Sequence, residues 1–170
     1  MDSKLKQKVY LFGLYEIIGG LVGIFLTLYL IQTILEFSIL LISFLIVALF
    51  LYSYSIFCGI MLFSKKLVSF KYSRVNQYLQ LFGFFIVGYG FRYVSGFFVT
   101  IGLDFTEGFS LNFNAGISTW QINWDQTSNS IVFSFNFIAL LLVLFLDKQI
   151  RQQNDNKIVK EISKIGNVDF

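Results

Sequence analysis

Apolar residues arrive in long runs separated by short polar segments: Val9–Ile31, Phe37–Phe63, Leu79–Leu103 and Ser130–Leu146. A hydrocarbon layer about 30 Å thick is crossed by roughly 20 apolar residues in helix. The pattern therefore predicts four transmembrane helices, over 9–31, 37–63, 79–103 and 130–146. The second is long enough to tilt or protrude, and the fourth is short and borrows Ser128 and Asn129 at its outer end. The first run is too long for the apolar core of a cleaved leader, and no small-x-small site follows it.

The segments between the runs carry weaker patterns. A link of about five residues makes the first two spans antiparallel neighbours. In the loop 104–129, Phe109, Leu111 and Phe113 alternate with polar residues, Asn114-Ala115-Gly116 has turn chemistry, and Trp120, Ile122 and Trp124 alternate again. That spacing predicts a β-hairpin within Phe109–Trp124, turning at Asn114–Gly116, with one apolar face. In the tail 148–170, Ile158, Ile162 and Ile165 recur at helical spacing among Lys157, Lys160, Glu161 and Lys164, which predicts a short amphipathic helix over 154–170 ended by Gly166. The link 64–76, with Leu67, Phe70, Lys71 and Arg74, has the same character in weaker form.

Charge orients the runs. All but one of the 13 Lys and Arg residues precede the first run, lie between the second and third, or follow the fourth. An even number of crossings puts these segments on one side, and the other side holds Glu36, Asp104, Glu107 and Asp125. The positive-inside rule makes the basic side, with both chain ends, cytoplasmic. Composition agrees: 56% of residues are hydrophobic and 14% charged, where a soluble domain carries about 25% charged residues. The +3 charge is then a topology signal, and no nucleic-acid partner is expected. Enrichment in Phe, Ile, Asn and Lys suggests an AT-rich bacterial genome, and the outer loop has no N-x-[ST] acceptor. The inner membrane of a bacterium is the expected site, with the outer hairpin periplasmic.

The chemistry available is sparse. There is no His, and Cys58 is the single cysteine, which excludes an internal disulfide and a paired-thiol redox site. No catalytic, metal or nucleotide motif is present, so neither an enzyme nor a cofactor is expected. Ionisable residues inside a membrane are costly and are candidates for function. Two occur in the predicted spans, Glu16 and Arg92. Glu16 lies roughly 10 Å in from the basic side, on a stripe with Gly13, Gly20 and Gly23, at the depth of Tyr52, Tyr54, Ser55 and Cys58. Arg92 lies roughly 20 Å in, between Gly88 and Gly96 and beside Tyr89, at the depth of Asn136. The candidate polar cluster is thus Glu16, Tyr52, Ser55, Tyr89, Arg92 and Asn136. Two roles stand open for it: a clasp that fixes helix packing, or the lining of a cavity for an ion, a lipid headgroup or a polar solute.

The stretch Leu14-Tyr15-Glu16-Ile17-Ile18-Gly19 resembles the first span of small multidrug resistance transporters, which implies a proton-coupling role for Glu16. Outside it the chain departs from that family, with a long outer loop, a tail and the central Arg92. The long loop between the third and fourth runs is similar to the layout of tetraspanins but lacks their loop cysteines. Neither family is assigned. The expectation is an all-α membrane protein, a four-helix transmembrane bundle over 1–147 with a small periplasmic β-hairpin and a cytoplasmic amphipathic tail. Its partners would be the lipid bilayer and another membrane protein or further copies of itself. Its expected function is that of an accessory or interaction protein for assembly, anchoring or immunity. The alternative is a small transporter, channel or lipid-binding protein that uses the polar cluster.

Overall fold

The computed structural model describes residues 3–33, 38–87, 89–124 and 130–165. Two long apolar helices open the chain, α1 (Ser3–Thr33) and α2 (Ile39–Leu62). They pack antiparallel through small residues. A Cβ on Gly13 would meet the Gly59 carbonyl at 2.9 Å, and one on Gly20 would meet the Tyr52 carbonyl at 2.7 Å. Side-chain-free contacts of this kind let helix backbones approach closely where lipid supplies no hydrophobic drive. Among the described residues these are the two helices long and apolar enough to cross a membrane. Only 28% and 22% of their apolar windows are buried inside the molecule. A core helix of a soluble protein would be mostly covered by its own fold.

The third predicted span is strand from Phe82 onward, and the fourth is strand over Ile131–Asn136 and helix only from Phe137. After α3 (Leu67–Leu81) the chain forms β1 (Phe82–Ile86), β2 (Tyr89–Asp104), β3 (Ser110–Trp124) and β4 (Ile131–Asn136), and α4 (Phe137–Ile165) follows directly. The architecture is therefore mixed α and β, with four helices and a four-stranded antiparallel sheet of order β1-β4-β2-β3, and not a four-helix bundle. Long apolar content was the ground for reading 79–103 as helix, and it does not separate the two states. An apolar strand satisfies its backbone as fully as a helix when it has neighbours on both sides. β2 has them: β3 on one edge, and on the other β1 at its start and β4 at its end. Because β1 also pairs with β4, these three strands close pairwise on themselves.

The outer hairpin is also displaced. Ser110–Trp124 is one 15-residue strand paired along β2, and the reversal lies at 105–109. The break in alternation at Asn114–Gly116 that resembled a turn is the approach to a bulge. Ser95 and Gly96 of β2 together face Ser118 of β3, with Gly96 at φ +100 and Ser118 at φ 37. A bulge shifts the alternation by one residue without reversing the chain. The predicted tail helix is the far part of α4, continuous through position 165, and its predicted end at Gly166 lies outside the described residues.

Sheet and α3 share one unusual property, an apolar outside over a polar inside. Cross-strand partners lie on the same face. One face carries Phe82 opposite Phe135, Phe84 opposite Phe133, Ile101 opposite both Phe135 and Phe113, Leu103 opposite Leu111, and Phe97 opposite Ile117. Most of these side chains are exposed. The opposite face carries Thr100 between Asn136 and Asn114, and Gly102 between Ser134 and Asn112; Thr100, Ser134 and Asn136 are buried, while Asn112 and Asn114 at the β3 edge are exposed. On α3, Ser69, Ser73, Asn76, Gln77 and Gln80 are buried, while Val68, Tyr72, Val75 and Tyr78 are exposed. At the basic end Val9, Phe12, Leu62, Phe70, Leu146 and Ile150 form a conventional apolar core joining all four helices. There α3 and α4 run antiparallel, joined by the Arg74–Asp147 ion pair at 2.8 Å.

Candidate functional site

The polar centre is built around Glu16, which is fully buried (0% exposed) at mid-length of α1. Its neighbours on that face are small, so α2, α3 and β2 close in from three sides. Both carboxylate oxygens are occupied. Oε2 accepts from the Ser73 hydroxyl at 2.7 Å, and Oε1 accepts from Asn76 Nδ2 at 2.8 Å and from Gln77 Nε2 at 3.0 Å. These donors sit one turn apart on α3, where residues three and four apart share a face. Each brings a neutral dipole, so the acid is held without a counter-ion.

A second layer ties this centre to the other elements. Ser55 of α2 donates to the Glu16 backbone carbonyl at 3.1 Å and accepts from Ser95 Oγ at 2.9 Å and Asn76 Nδ2 at 3.2 Å. Gln80 Oε1 accepts the Ser95 amide at 2.9 Å. The Tyr93 hydroxyl donates to the Leu51 carbonyl at 2.8 Å. The Tyr52 ring packs on Tyr93 with centroids 5.4 Å apart, and its hydroxyl reaches the Val94 carbonyl at 3.4 Å. Just beyond, α1 and the sheet meet backbone to backbone. Ser118 Oγ donates to the Gly19 carbonyl at 2.9 Å and accepts the Gly96 amide at 3.0 Å, while the Tyr15 hydroxyl donates to the Phe97 carbonyl at 2.8 Å.

Glu16, Ser55 and Tyr52 thus lie in one network. Arg92 and Asn136 lie in another, on the polar face of the sheet. Arg92 donates to Thr100 Oγ1 at 3.0 Å, and its guanidinium lies 4.9 Å from the Phe98 ring centre, a cation–π distance. Asn136 is the β4 partner of that same Thr100, and its Oδ1 caps α4 by accepting the Ile138 and Ala139 amides at 3.1 and 3.4 Å. No ion pair joins Glu16 to Arg92 among the described residues. Tyr89 opens β2, opposite Ile86 and Trp124.

The residues of this centre that the predicted cluster leaves out are those of α3 and β2: Ser73, Asn76, Gln77, Gln80, Tyr93 and Ser95. For α3 a signal was present: Ser69, Ser73, Asn76, Gln77 and Gln80 repeat at helical spacing and so mark one polar stripe, apart from the charged Lys71 and Arg74.

Chemically, the arrangement holds a buried carboxylate with three neutral donors. No cluster of metal-ligating side chains occurs among the described residues. The principal cavities lie elsewhere. One of about 460 Å³ runs between α1 and α4, lined by Leu11, Phe12, Tyr15, Leu141 and Phe145 with Lys8 among its lining residues. Another of about 450 Å³ lies at the β2–β3 turn. No protein-family model, no curated protein and no solved structure matches this chain.

Proposed function

We propose that this chain is a multi-pass protein of the bacterial inner membrane that works by associating with another membrane component, in assembly, anchoring or immunity, and not by catalysis. The observation that carries this proposal is the direction in which polarity is spent. The buried acid is saturated by three internal donors, while α3 and the sheet turn apolar side chains outward. Polar inside and apolar outside is the pattern of strands in contact with lipid. It extends the membrane-embedded body beyond α1 and α2. α3 and α4 would then form a re-entrant arm, entering from the basic end and returning to it. The basic residues bordering the core of Val9, Leu62, Phe70 and Leu146 support a cytoplasmic assignment for that end, by the positive-inside rule.

Purification in mild detergent from the native host tests this. A membrane protein should co-purify at fixed stoichiometry and be lost on Phe84→Asp or Phe97→Asp, which charge the apolar sheet face. A companion-free protein that moves ions or solutes across reconstituted vesicles would overturn it. Cysteine labelling at Thr106 from outside and at Asn156 from inside checks the orientation.

The groove between α1 and α4 favours one alternative, the lipid-binding protein. Its lining is apolar but for Lys8, which suits an acyl chain with an anionic headgroup. Native mass spectrometry would then find a retained phospholipid that Leu141→Trp displaces.

A further inference from the structure

We propose that two copies of this chain pair antiparallel along the free edge of β3, on a two-fold axis at Phe113. The inference rests on the membrane-embedded reading above and adds the partner that the sheet requires.

β3 is the outermost strand of the sheet, and among the described residues its only ladder is with β2. The opposite end of the sheet has no such problem, because β1 closes onto β2. Every second N–H and C=O along the outer side of β3 therefore points away from the molecule. From Ser110 to Ala115 the strand is exposed throughout, and it meets α1 only further on, where Ser118 bonds to Gly19. Natural edge strands are guarded by charge, Pro or a bulge. Ser110–Gly116 has none of these, and the whole of β3 carries no charged residue. In an apolar surrounding such an edge must be paired, since lipid offers no hydrogen bonds to an open backbone.

The sequence indicates which partner. A two-fold interface must be self-complementary. An axis at Phe113 sets Phe113 against itself, Leu111 against Ala115, Asn112 against Asn114, and Ser110 against Gly116. Each match joins like to like. Phe, Leu and Ala fall on the apolar face, where Phe113 is 73% exposed in one copy. The two Asn pairs fall on the polar face, where amide can bond to amide across the axis. Moving the axis by one residue, to Asn114, sets Asn112 against Gly116, which leaves that amide without a partner across the axis.

Cross-linking in native membranes tests the register. Cys58 is the single cysteine and is buried, so Cys58→Ala gives a clean background. Phe113→Cys should form a disulfide dimer on mild oxidation. Leu111→Cys and Ala115→Cys should each remain monomeric alone and cross-link when co-expressed. Asn112→Lys with Asn114→Lys should halve the detergent-solubilised mass while keeping the monomer folded. Alkaline carbonate extraction of the same membranes separates the two levels of the argument. Protein that stays in the membrane without a Phe113 dimer overturns the pairing and spares the embedding. Protein that is extracted overturns both. A Phe113 adduct to a different protein assigns the edge to that protein and overturns the homodimer.

Discussion

Asn76 Nδ2 lies 2.8 Å from Glu16 Oε1, although 60 residues separate them in the chain. Neither residue explains itself alone. A carboxylate within an apolar helix is costly to bury, and an asparagine on a short surface-like helix would ordinarily face water. Together they satisfy each other and fix α3 against the α1–α2 pair at one height and one rotation. Glu16→Leu should remove the acceptor of Ser73 and Gln77 and leave Asn76 only its Ser55 bond, at about 1–3 kcal/mol for each buried orphan. Glu16→Gln keeps one acceptor oxygen and should cost less. Thermal unfolding in detergent should rank wild type above Gln and Gln above Leu, with non-additivity when either is combined with Asn76→Ala. Equal melting of all three proteins would remove Glu16 from the centre of the fold.

The contact of Gly19 with Gly96 makes a second prediction. A Cβ on Gly19 would collide with the Gly96 backbone, and one on Gly96 would lie 2.6 Å from the Tyr15 ring at a φ of +100. Alanine at either position should destabilise strongly through the clash, beyond the roughly 1–3 kcal/mol of backbone strain alone. Gly108 is the control. Its φ is +138 but nothing lies within 4 Å, so Gly108→Ala should show only the conformational cost. If Gly108→Ala and Gly19→Ala lose equal stability, the close α1–sheet junction is not there.

Strand and helix at 82–104 can be told apart chemically. Val99 faces Ala115 across the β2–β3 ladder. Directly opposed residues lie about 4.5–5.5 Å apart at Cα, within reach of a disulfide. In the Cys58→Ala background, Val99→Cys with Ala115→Cys should oxidise within one chain, while Val99→Cys with Phe113→Cys should do so poorly. An intramolecular bond indifferent to this choice would argue against the register.

Asn136 is the hinge between β4 and α4, and its side chain caps the helix. Asn136→Ala should cost about 0.5–2 kcal/mol and Asn136→Asp should recover most of it, because a carboxylate also caps. Amide exchange at Ile138 and Ala139 reads this locally. Unchanged protection in Asn136→Ala would mean that the cap contributes nothing.

At the β2–β3 turn, Asp104 Oδ1 accepts the Thr106 amide at 2.9 Å. The Thr106 side chain and amide hold the Asp104 carboxyl below its ordinary value of 3.8. A depressed acid contributes stability that is complete above the unfolded value and is lost as pH falls through the folded one. Amide protection at Thr106 should therefore be flat above pH 5 and fall only in strongly acidic solution, roughly below pH 4. Asp104→Asn should remove that step.

Much of the first third of the molecule was legible in the sequence. The runs at 9–31 and 37–63 needed only composition and length, because a helix satisfies its own backbone and asks nothing of distant residues. The gathering of basic residues at one end needed only their order, and the glycines beside Glu16 marked the face that α2, α3 and β2 cover. Alternation at 109–124 was read correctly as strand, and its phase slip wrongly as a turn. What made it a bulge was Gly96 on the neighbouring strand, which no local pattern in β3 contains.

The remainder depended on contacts between segments far apart in the chain. Positions 97, 99, 101 and 103 are apolar and 100, 102 and 104 are not, a period of two within a run long enough to be a helix. Whether that period prevails depends on partners: β4 must come round to Thr100–Asp104 before β2 can exist as a strand in an apolar setting. The polar stripe of α3 was likewise written in the sequence, but its direction was not. Only Glu16, brought alongside by the folding of α1 and α2, turns Ser73, Asn76 and Gln77 inward. By itself the sequence determined that this chain is unusually apolar, that its runs at 9–31 and 37–63 are helices, and that all but one of its basic residues are grouped outside the apolar runs. It left the runs at 79–103 and 130–146 open to a misreading as helices. The tertiary structure alone decided which polar groups meet and which apolar faces are left outside, because hydrogen-bond satisfaction away from water is a property of pairs and not of residues.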